Sequence, residues 1–258
     1  MKDKTVKHVL GIPVHALYFE ETVDLILSRI DIGYSTHHLA INAWTVVNML
    51  SVAELKESVN SADIVSADGM SIVWASQFLG NSLPERVTGI DLMMKLVELA
   101  YQKGYKCYFL GARQEVVKKV VSYFSRKYSN DIVAGYRNGY FDTTEIPDIV
   151  NEISLSGAHL VFVALAAPDQ HIFINRYKNE IKVPYVMGVG GSFDVIAGVV
   201  NRAPIWMQKS GLEWLYRLFQ SPRSKWKRNF YGNVMFIWLV LKAKFGFKTN
   251  FFETSLSS

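Results

Sequence analysis

The chain has 258 residues, of which half are apolar, and it carries a formal net charge of +5. That length allows one large domain or one domain with an appendage, and a charge excess this mild identifies no partner by itself. The single cysteine, Cys107, excludes an intramolecular disulfide framework and is typical of a reducing compartment.

Strand and helix patterns alternate along residues 8–189. Short apolar runs predict strands at 8–18 (with a turn), 38–42, 63–66, 106–110, 131–136, 159–166 and 184–189. Helical spacing predicts helices at 19–32, at 44–59 with Val47, Leu50 and Leu55 on the apolar side, from 70 onward, at 90–103 up to Gly104, at 111–128, at 143–156 with Thr143 or Thr144 as cap, and at 168–181. Several strands are apolar on both faces, which predicts an α/β fold whose mostly parallel sheet is covered by helices on both faces.

The composition changes at Ser210, so we predict a core domain at 1–209 and an appendage at 210–258. Helices are predicted at 212–219 and 223–247, separated by a break at Pro222. Before Glu253 the appendage has one acid, Glu213, against these basic residues: Arg217, Arg223, Lys225, Lys227, Arg228, Lys242, Lys244 and Lys248. One predicted helical face is apolar and comprises Trp226, Phe230, Val234, Ile237, Leu241 and Phe245.

Two side chains in residues 67–91 suggest chemistry. Asp68 follows a predicted strand and precedes a helix, and Arg86 lies in the next turn. Ligands of α/β sheets bind at this edge, so an acid and a guanidinium here suit a reaction that needs a base and a phosphate clamp. The alternative for Asp68 is a helix N-cap, and for Arg86 a surface ion pair.

Two glycine-containing turns follow strands. The backbone N–H groups of GVGGSFD (188–194), which contains Gly190, Gly191 and Ser192, are suited to cradling a diphosphate. Phe193 stands where a dinucleotide fingerprint has glycine, and a tight turn without a ligand is the alternative. The turn at Gly111 is a weaker candidate of the same kind, and residues 135–141 form an aromatic loop suited to stacking on a base or to surface packing.

Metal binding is not expected from the sequence. His37 and His38 are the only close histidine pair, and adjacent strand residues point to opposite faces. No Asp-x-Asp pair occurs, so arginines and backbone N–H groups would have to hold a diphosphate.

Together these motifs resemble a known family, the WecG/TagA/CpsF glycosyltransferases, family 26 of the sugar-transferase classification. The resemblance covers about residues 11–245 and rests on the order and spacing of Asn42, ADGMSIV (67–73), PERVTGIDL (84–92), YFLGA (108–112), GYF (139–141), APDQ (167–170), GVGGSFDVIAG (188–198) and the segment 202–229.

The resemblance implies a Rossmann-like core with a C-terminal appendage and a metal-independent, inverting sugar transfer without a cofactor. The donor would be a UDP-sugar and the acceptor a polyprenyl-pyrophosphate-linked sugar, for teichoic acid, exopolysaccharide or capsule synthesis. Asp68 would be the general base, Arg86 and Arg217 would lie near the diphosphate, and Asn42 and Gln170 would line the sugar pocket. The family often has Thr-x-Asn-x-Glu where this chain has residues 40–44, and Gln-Glu where it has Gln170-His171. N-acetylmannosamine, its uronic acid, glucose and galactose therefore stay open as the donor sugar.

The appendage is predicted to dock on the anionic inner face of the plasma membrane. Residues 1–17 lack the apolar core of a signal peptide and no run reaches the ~18–20 apolar residues of a membrane span, so a cytosolic, peripheral protein is expected. Arg217 and Arg223 flank Pro222 and would reach the acceptor pyrophosphate. A helix packed permanently on the core or in a homo-oligomer interface is the alternative.

Two other functions compete with sugar transfer. A dinucleotide-binding α/β protein could use the turn at 188–194, but it leaves the basic aromatic appendage without a purpose. A nucleic-acid patch on the appendage is permitted by its Lys, Arg and aromatic residues, but the run VMFIWLVL (234–241) is too apolar for an exposed RNA surface, so no nucleic-acid partner is expected.

Overall fold

The computed structural model describes residues 5–220 and 230–246, apart from the side chains of Lys209, Arg217 and Leu218. Its strands are β1 Val6–Val9, β2 Ile12–His15, β3 Thr36–Ile41, β4 Ile64–Ala67, β5 Cys107–Gly111, β6 Val133–Arg137, β7 Leu160–Ala164 and β8 Tyr185–Gly188. Its α-helices are α1 Phe19–Asp31, α2 Ala43–Asn48, α3 Ala53–Asn60, α4 Met70–Leu79, α5 Gly89–Lys103, α6 Gln114–Lys127, α7 Ile146–Leu155, α8 Asp169–Ile181, α9 Ser192–Ile196, α10 Ile205–Lys209, α11 Glu213–Gln220 and α12 Gly232–Lys244. Short 3₁₀ helices span Asn130–Ile132 and Thr143–Glu145.

A six-stranded parallel sheet runs in the order β4-β3-β8-β7-β5-β6 through the described residues. The antiparallel hairpin β1–β2 stands beside it as a separate two-stranded sheet. Parallel strands need crossover helices, which accounts for the alternation seen in the sequence.

Helices cover both faces of this sheet, and β5 illustrates why. Phe109 packs with residues of α1, α5 and α6 on one face, whereas Tyr108 and Leu110 pack with α7 and α8 on the other. All three side chains are fully buried. A strand apolar at every position fits only a sheet that is covered on both sides, so the predicted α/β fold class is confirmed.

Two local predictions were wrong. The expected helix at 44–59 is divided into α2 and α3, because Asn48 and Ser51 close a turn between them. Leu50, expected on the apolar side, lies in that turn and is exposed. Asp142, not Thr143 or Thr144, caps the 3₁₀ turn ahead of α7, in a reciprocal capping box with Glu145.

The last described helix, α12, packs on α2 and α4. Phe236, Leu239 and Val240 are buried in the same apolar cluster as Val46 and Ile72 of the core. Val234, Ile237, Trp238, Leu241 and Phe245 are exposed instead. The helix therefore closes part of the core with one side and presents apolar residues with the other. Within the described ranges, no helix is both long enough and apolar enough to cross a bilayer.

Candidate active site

A cleft of about 700 Å³ opens at the carboxyl ends of β3, β4, β7 and β8, which are neighbours in the sheet. Parallel strands deliver their following loops to one edge, which is where ligands of α/β folds bind. The cleft brings together most of the residues expected from the sequence: Asn42, Asp68, Arg86, Gln170, Gly190, Gly191 and Ser192.

Asp68 directly follows β4 and is partly buried in the wall of the cleft. Its backbone N–H bonds to the carbonyl of Ile41 at 2.8 Å, which ties it to the end of β3. Its Oδ1 accepts the N–H of Gly89, the first residue of α5, at 2.9 Å. The cap position of the following helix, α4, is held by Gly69 without a side-chain bond. The carboxylate is therefore oriented by the N-terminus of a different helix, α5.

Asn42 follows β3 and is the N-cap residue of α2. Its Oδ1 accepts the backbone N–H of Thr45 at 3.1 Å and caps α2. Its Nδ2 makes no hydrogen bond to any residue within 5–220 or 230–246. The cap fixes the rotamer, and the amide N–H₂ group is left as a donor at the cleft.

Gln170, buried in the first turn of α8, holds the glycine turn after β8. Its Oε1 accepts the N–H of Gly190 at 2.9 Å, and its Nε2 lies 3.1 Å from Nε2 of His171. Its side chain also packs against Gly188, where a Cβ would lie 3.1 Å from the Gln170 amide carbon. Burial lowers the pKa of the His171 ring to about 4, so the ring is neutral at pH 7 and can accept from Gln170.

The glycine turn 188–194 uses much of its own hydrogen-bonding capacity. Gly190 donates to Gln170, and the N–H of Ser192 donates to the carbonyl of Val189 at 3.1 Å. The Ser192 hydroxyl donates to the same carbonyl at 2.7 Å. Among the described residues, the N–H of Gly191 has no acceptor. Of the three residues singled out in this turn, Gly190, Gly191 and Ser192, only Gly191 keeps its backbone N–H for a ligand.

Arg86 reaches from the turn before α5 toward the appendage. Its Nη1 lies 3.3 Å from Oε2 of Glu213 in the first turn of α11, and both side chains are mostly buried. The preceding acid, Glu85, has a separate structural role because it accepts the N–H of Phe19 at the start of α1. The appendage therefore meets the cleft at Arg86.

Of the remaining predicted site residues, Gly111 is not brought to the cleft. Gly111 ends β5 with a φ of +127°, and any Cβ there would collide with the backbone of Ala164. That glycine permits close packing of two strands and is absent from the cleft wall. Arg217 lies in α11, but its side chain is outside the described part, and Arg223 is outside the described residues altogether.

Sequence reasoning missed the apolar half of the cleft. Trp74 and Phe78 of α4 line it together with Phe236, Ile237 and Leu241 of α12. Gly211 seats the appendage on this wall, since a Cβ there would collide with the Trp74 ring. The signal was available in the helical spacing of Trp74 and Phe78, but nothing local to α4 predicts that α12 packs beside it.

No group of three or more His, Cys, Asp or Glu side chains comes together within the described ranges. The His37–His38 pair behaves as strand geometry predicts. His38 bonds to Tyr185 at 2.7 Å and Ser66 at 2.9 Å, whereas His37 lies on the side of His171. Burial lowers the pKa of both rings.

Comparisons with known proteins place the whole arrangement in a family. The model described as "Glycosyl transferase WecG/TagA/CpsF family" matches residues 7–250. Over 169 residues the chain is 37% identical to an N-acetylglucosaminyldiphosphoundecaprenol N-acetyl-beta-D-mannosaminyltransferase of Bacillus subtilis (strain 168), covering 66% of this chain and 65% of that protein. A protein of the same name from Bacillus spizizenii (strain ATCC 23059 / NRRL B-14472 / W23) is 37% identical over 170 residues, with the same two shares. The match thus spans about two thirds of the length of these relatives.

Proposed function

We propose a glycosyl transfer reaction for this chain, because it belongs to the WecG/TagA/CpsF family of glycosyl transferases. The two relatives carry the name of a mannosaminyltransferase that acts on N-acetylglucosaminyldiphosphoundecaprenol. The donor we propose is UDP-N-acetylmannosamine, and the acceptor is a polyprenyl-diphosphate-linked N-acetylglucosamine. The product would be a lipid-linked precursor of a cell-surface polysaccharide.

The observation that carries the proposal is the convergence of Asp68 and Arg86 on one cleft. In an inverting transfer the acceptor hydroxyl oxygen bonds to the anomeric carbon as the bond from that carbon to the diphosphate oxygen breaks. The hydroxyl proton passes to Asp68, the general base. The electron pair of the broken bond leaves with UDP, and the charge that develops on the diphosphate is stabilised by Arg86.

The sugar and the diphosphate would occupy the polar half of the cleft. Asn42 can donate its Nδ2 group to a sugar hydroxyl while its Oδ1 caps α2. Gln170 would act by shaping the turn at Gly190, and the Gly191 N–H is available to a diphosphate oxygen. Arg217 and Arg223 remain proposed contacts of a pyrophosphate.

Membrane docking of the appendage suits an acceptor that carries a polyprenyl chain. The exposed apolar face of α12 continues into the apolar half of the cleft through Ile237 and Leu241. On this proposal the protein works at the inner face of the plasma membrane, with α12 against the lipid. Buried apolar surface and basic residues such as Lys242 and Lys244 would both contribute to binding.

The test is a donor screen in which UDP-N-acetylmannosamine, UDP-N-acetylglucosamine, UDP-glucose and UDP-galactose are each mixed with a synthetic lipid-diphosphate-linked N-acetylglucosamine. Formation of a disaccharide product from UDP-N-acetylmannosamine alone supports the proposal in full. Turnover with another UDP-sugar corrects the donor. No turnover with any donor, together with binding of NADH but not UDP in titrations, would overturn the proposed function in favour of a dinucleotide protein.

A further inference from the structure

An arginine outside the cleft wall is joined to the first turn of α5. Arg202 lies in the segment between α9 and α10, and its Nη1 and Nη2 each donate to one carboxylate oxygen of Asp91 at 2.6 Å. This paired geometry fixes the relative orientation of the two side chains. Both are partly exposed, so the pair contributes little to stability as a charge pair. The main effect of the Arg202–Asp91 pair is therefore to orient the Asp91 side chain.

Asp91 is in turn hydrogen-bonded to Thr88, the N-cap residue of α5, so the position of its carboxylate constrains the Thr88 side chain. The Thr88 hydroxyl donates to Oδ2 of Asp91 at 2.5 Å and accepts the N–H of Asp91 at 3.3 Å. Burial alone would raise the pKa of Asp91, but the hydrogen bonds from Arg202 and Thr88 outweigh it, and the pKa lies below its ordinary value. Asp91 is thus an ionised acceptor for both partners at neutral pH.

The next peptide unit connects this network to Asp68. The N–H of Gly89 belongs to the same planar unit as the carbonyl of Thr88, so the conformation of Thr88 sets its direction. That N–H donates to Oδ1 of Asp68 at 2.9 Å. On the other side of the turn, the N–H of Val87 bonds to the carbonyl of Ala67 at 2.9 Å. Asp68 and the turn that orients it are therefore tied together at both ends.

We propose that Arg202 is a positioning residue for Asp68 and acts through Asp91, Thr88 and the N–H of Gly89. The proposal rests on the proposed function, in which Asp68 is the base. Arg202 is absent from the cleft wall, which distinguishes it from Arg86. It orients the carboxylate without touching the donor, so its loss should slow the chemical step and leave donor binding intact.

Arg202 also contributes charge. The hydrogen bond to Asp91 raises the pKa of its guanidinium, and the nearby negative charges of Glu213 and Asp68 raise it further. The same attraction favours the ionised form of Asp68. Within the described residues, the charged groups that face Arg202 are Asp91, Glu213 and Asp68, and Arg86 faces both Asp91 and Glu213.

The experiment compares Arg202→Gln, Arg202→Lys, Asp91→Asn and the double variant Arg202→Gln/Asp91→Asn of the full chain. In Arg202→Gln we expect kcat to fall by about 10- to 100-fold, the scale of a small misplacement of a catalytic group. The KM for the UDP-sugar and the Kd for UDP should stay within about two-fold. The acid limb of the kcat/KM profile should move to higher pH, because the base loses a nearby positive charge.

Two further results test whether Arg202 acts on Asp68 through Asp91. Asp91→Asn should reproduce the loss in kcat, and the double variant should be no worse than either single variant, because the residues act in one chain of contacts. Arg202→Lys keeps the charge but not the paired geometry, so it should keep the acid limb and recover only part of kcat. The control is Arg137→Gln, which breaks two ion pairs at the far edge of the sheet and should leave kcat unchanged.

Three outcomes would overturn the proposal. One is a kcat within two-fold of wild type in Arg202→Gln or, should that variant not fold, in Asp91→Asn. Another is a raised Kd for UDP in Arg202→Gln with normal kinetics in Asp91→Asn, which would mean direct contact with the donor. The third is a double variant whose losses add. Failure of the proposed function looks different: Asp68→Asn would then keep near-normal turnover, whatever Arg202→Gln does.

Discussion

Glu213 of the appendage places its carboxylate 3.3 Å from the guanidinium of Arg86 at the cleft. A negative side chain therefore occupies a position next to the group proposed to bind a diphosphate. Only one of the Arg86 nitrogens is used in this contact, so the remaining N–H donors can face a ligand. The pair connects α11 to the turn before α5 by charge, across 127 residues of sequence.

Replacing Arg86 should weaken donor binding. In Arg86→Gln we expect the Kd for UDP to rise by about 10-fold or more, since a charge-assisted hydrogen bond contributes about 1.5–3 kcal/mol. Arg86→Lys should recover only part of the affinity, because an ammonium cannot reproduce the planar fork of donors. Isothermal titration with UDP measures both, and Arg137→Gln serves as control. An unchanged Kd in Arg86→Gln would remove Arg86 from the binding site.

Asp68→Asn should lower kcat by about 10²–10⁴-fold, the usual contribution of general base catalysis. The fold should survive, because an asparagine Oδ1 can still accept the Gly89 N–H. The matched control is Asp63→Asn, which lies before the amino end of β4 and keeps an acceptor for the His37 N–H. Steady-state kinetics and thermal unfolding of both variants make the test. Near-normal turnover in Asp68→Asn would reduce that residue to a structural acceptor.

Turnover should persist in EDTA. The described residues gather no cluster of three or more metal-ligating side chains, and the diphosphate charge is assigned to Arg86 instead. The measurement is product formation with chelated enzyme, with and without added Mg²⁺ or Mn²⁺. Complete loss that either ion restores would show that a metal takes part.

The exposed side of α12 should bind membranes. Val234 and Trp238 lie one turn apart on that side, away from the cleft, and Lys242 lies 5.0 Å from the centre of the Trp238 ring. Val234→Ser/Trp238→Ser should reduce sedimentation with phosphatidylglycerol vesicles several-fold and leave the melting temperature nearly unchanged. Added salt should weaken binding of the unaltered chain, because part of it is electrostatic.

The control for that experiment is Leu155→Ser, which removes an apolar side chain that is even more exposed, at the end of α7. Its vesicle binding should equal that of the unaltered chain. If Val234→Ser/Trp238→Ser binds as well as Leu155→Ser, α12 is not the docking surface.

Stability should fall as the pH drops below about 6.5. Burial lowers the pKa of His38 to about 3, whereas an unfolded histidine has an ordinary pKa of about 6.5. Between these values the unfolded chain binds the additional proton, so the ring costs the native state about 1.4 kcal/mol per pH unit of acidification. Urea unfolding at pH 7 and pH 5 should show a smaller loss in His38→Gln. His8→Gln, at an exposed position in β1, should lose as much as the unaltered chain, and equal losses in all three would contradict the argument.

The sequence predicted the strands and helices of the core because the spacing of apolar residues within each segment is characteristic of its secondary structure. It placed Asp68 and Asn42 at strand ends and Gln170 at the start of the helix after a strand, and a parallel sheet brings these positions to one edge. The order of the strands could not be read in this way, because it depends on which faces pack best after collapse. The division of 44–59 was also missed, because the turn closed by Asn48 and Ser51 interrupts a segment whose apolar spacing is helical throughout.

The pairings between distant segments were also beyond the sequence. Asp91 and Arg202 stand in motifs that carried the family resemblance, but nothing local to either one names the other, 111 residues away. Glu213 was noticed only as the lone acid of a basic segment, and its partner Arg86 could be found only in three dimensions. The role expected for Arg86 as a phosphate clamp stays a prediction.

Phe236 and Leu239 of α12 belong to the core, so the exposed apolar side of this helix cannot be removed by proteolysis or truncation without exposing the core. A chain truncated before α12 would expose apolar core residues, and we expect it to aggregate. Loss of vesicle binding by such a chain would therefore not identify α12 as the lipid-binding surface. Substitution of the exposed residues Val234, Trp238 and Phe245 by polar residues should improve solubility for crystallisation, because it leaves the buried side of the helix unchanged.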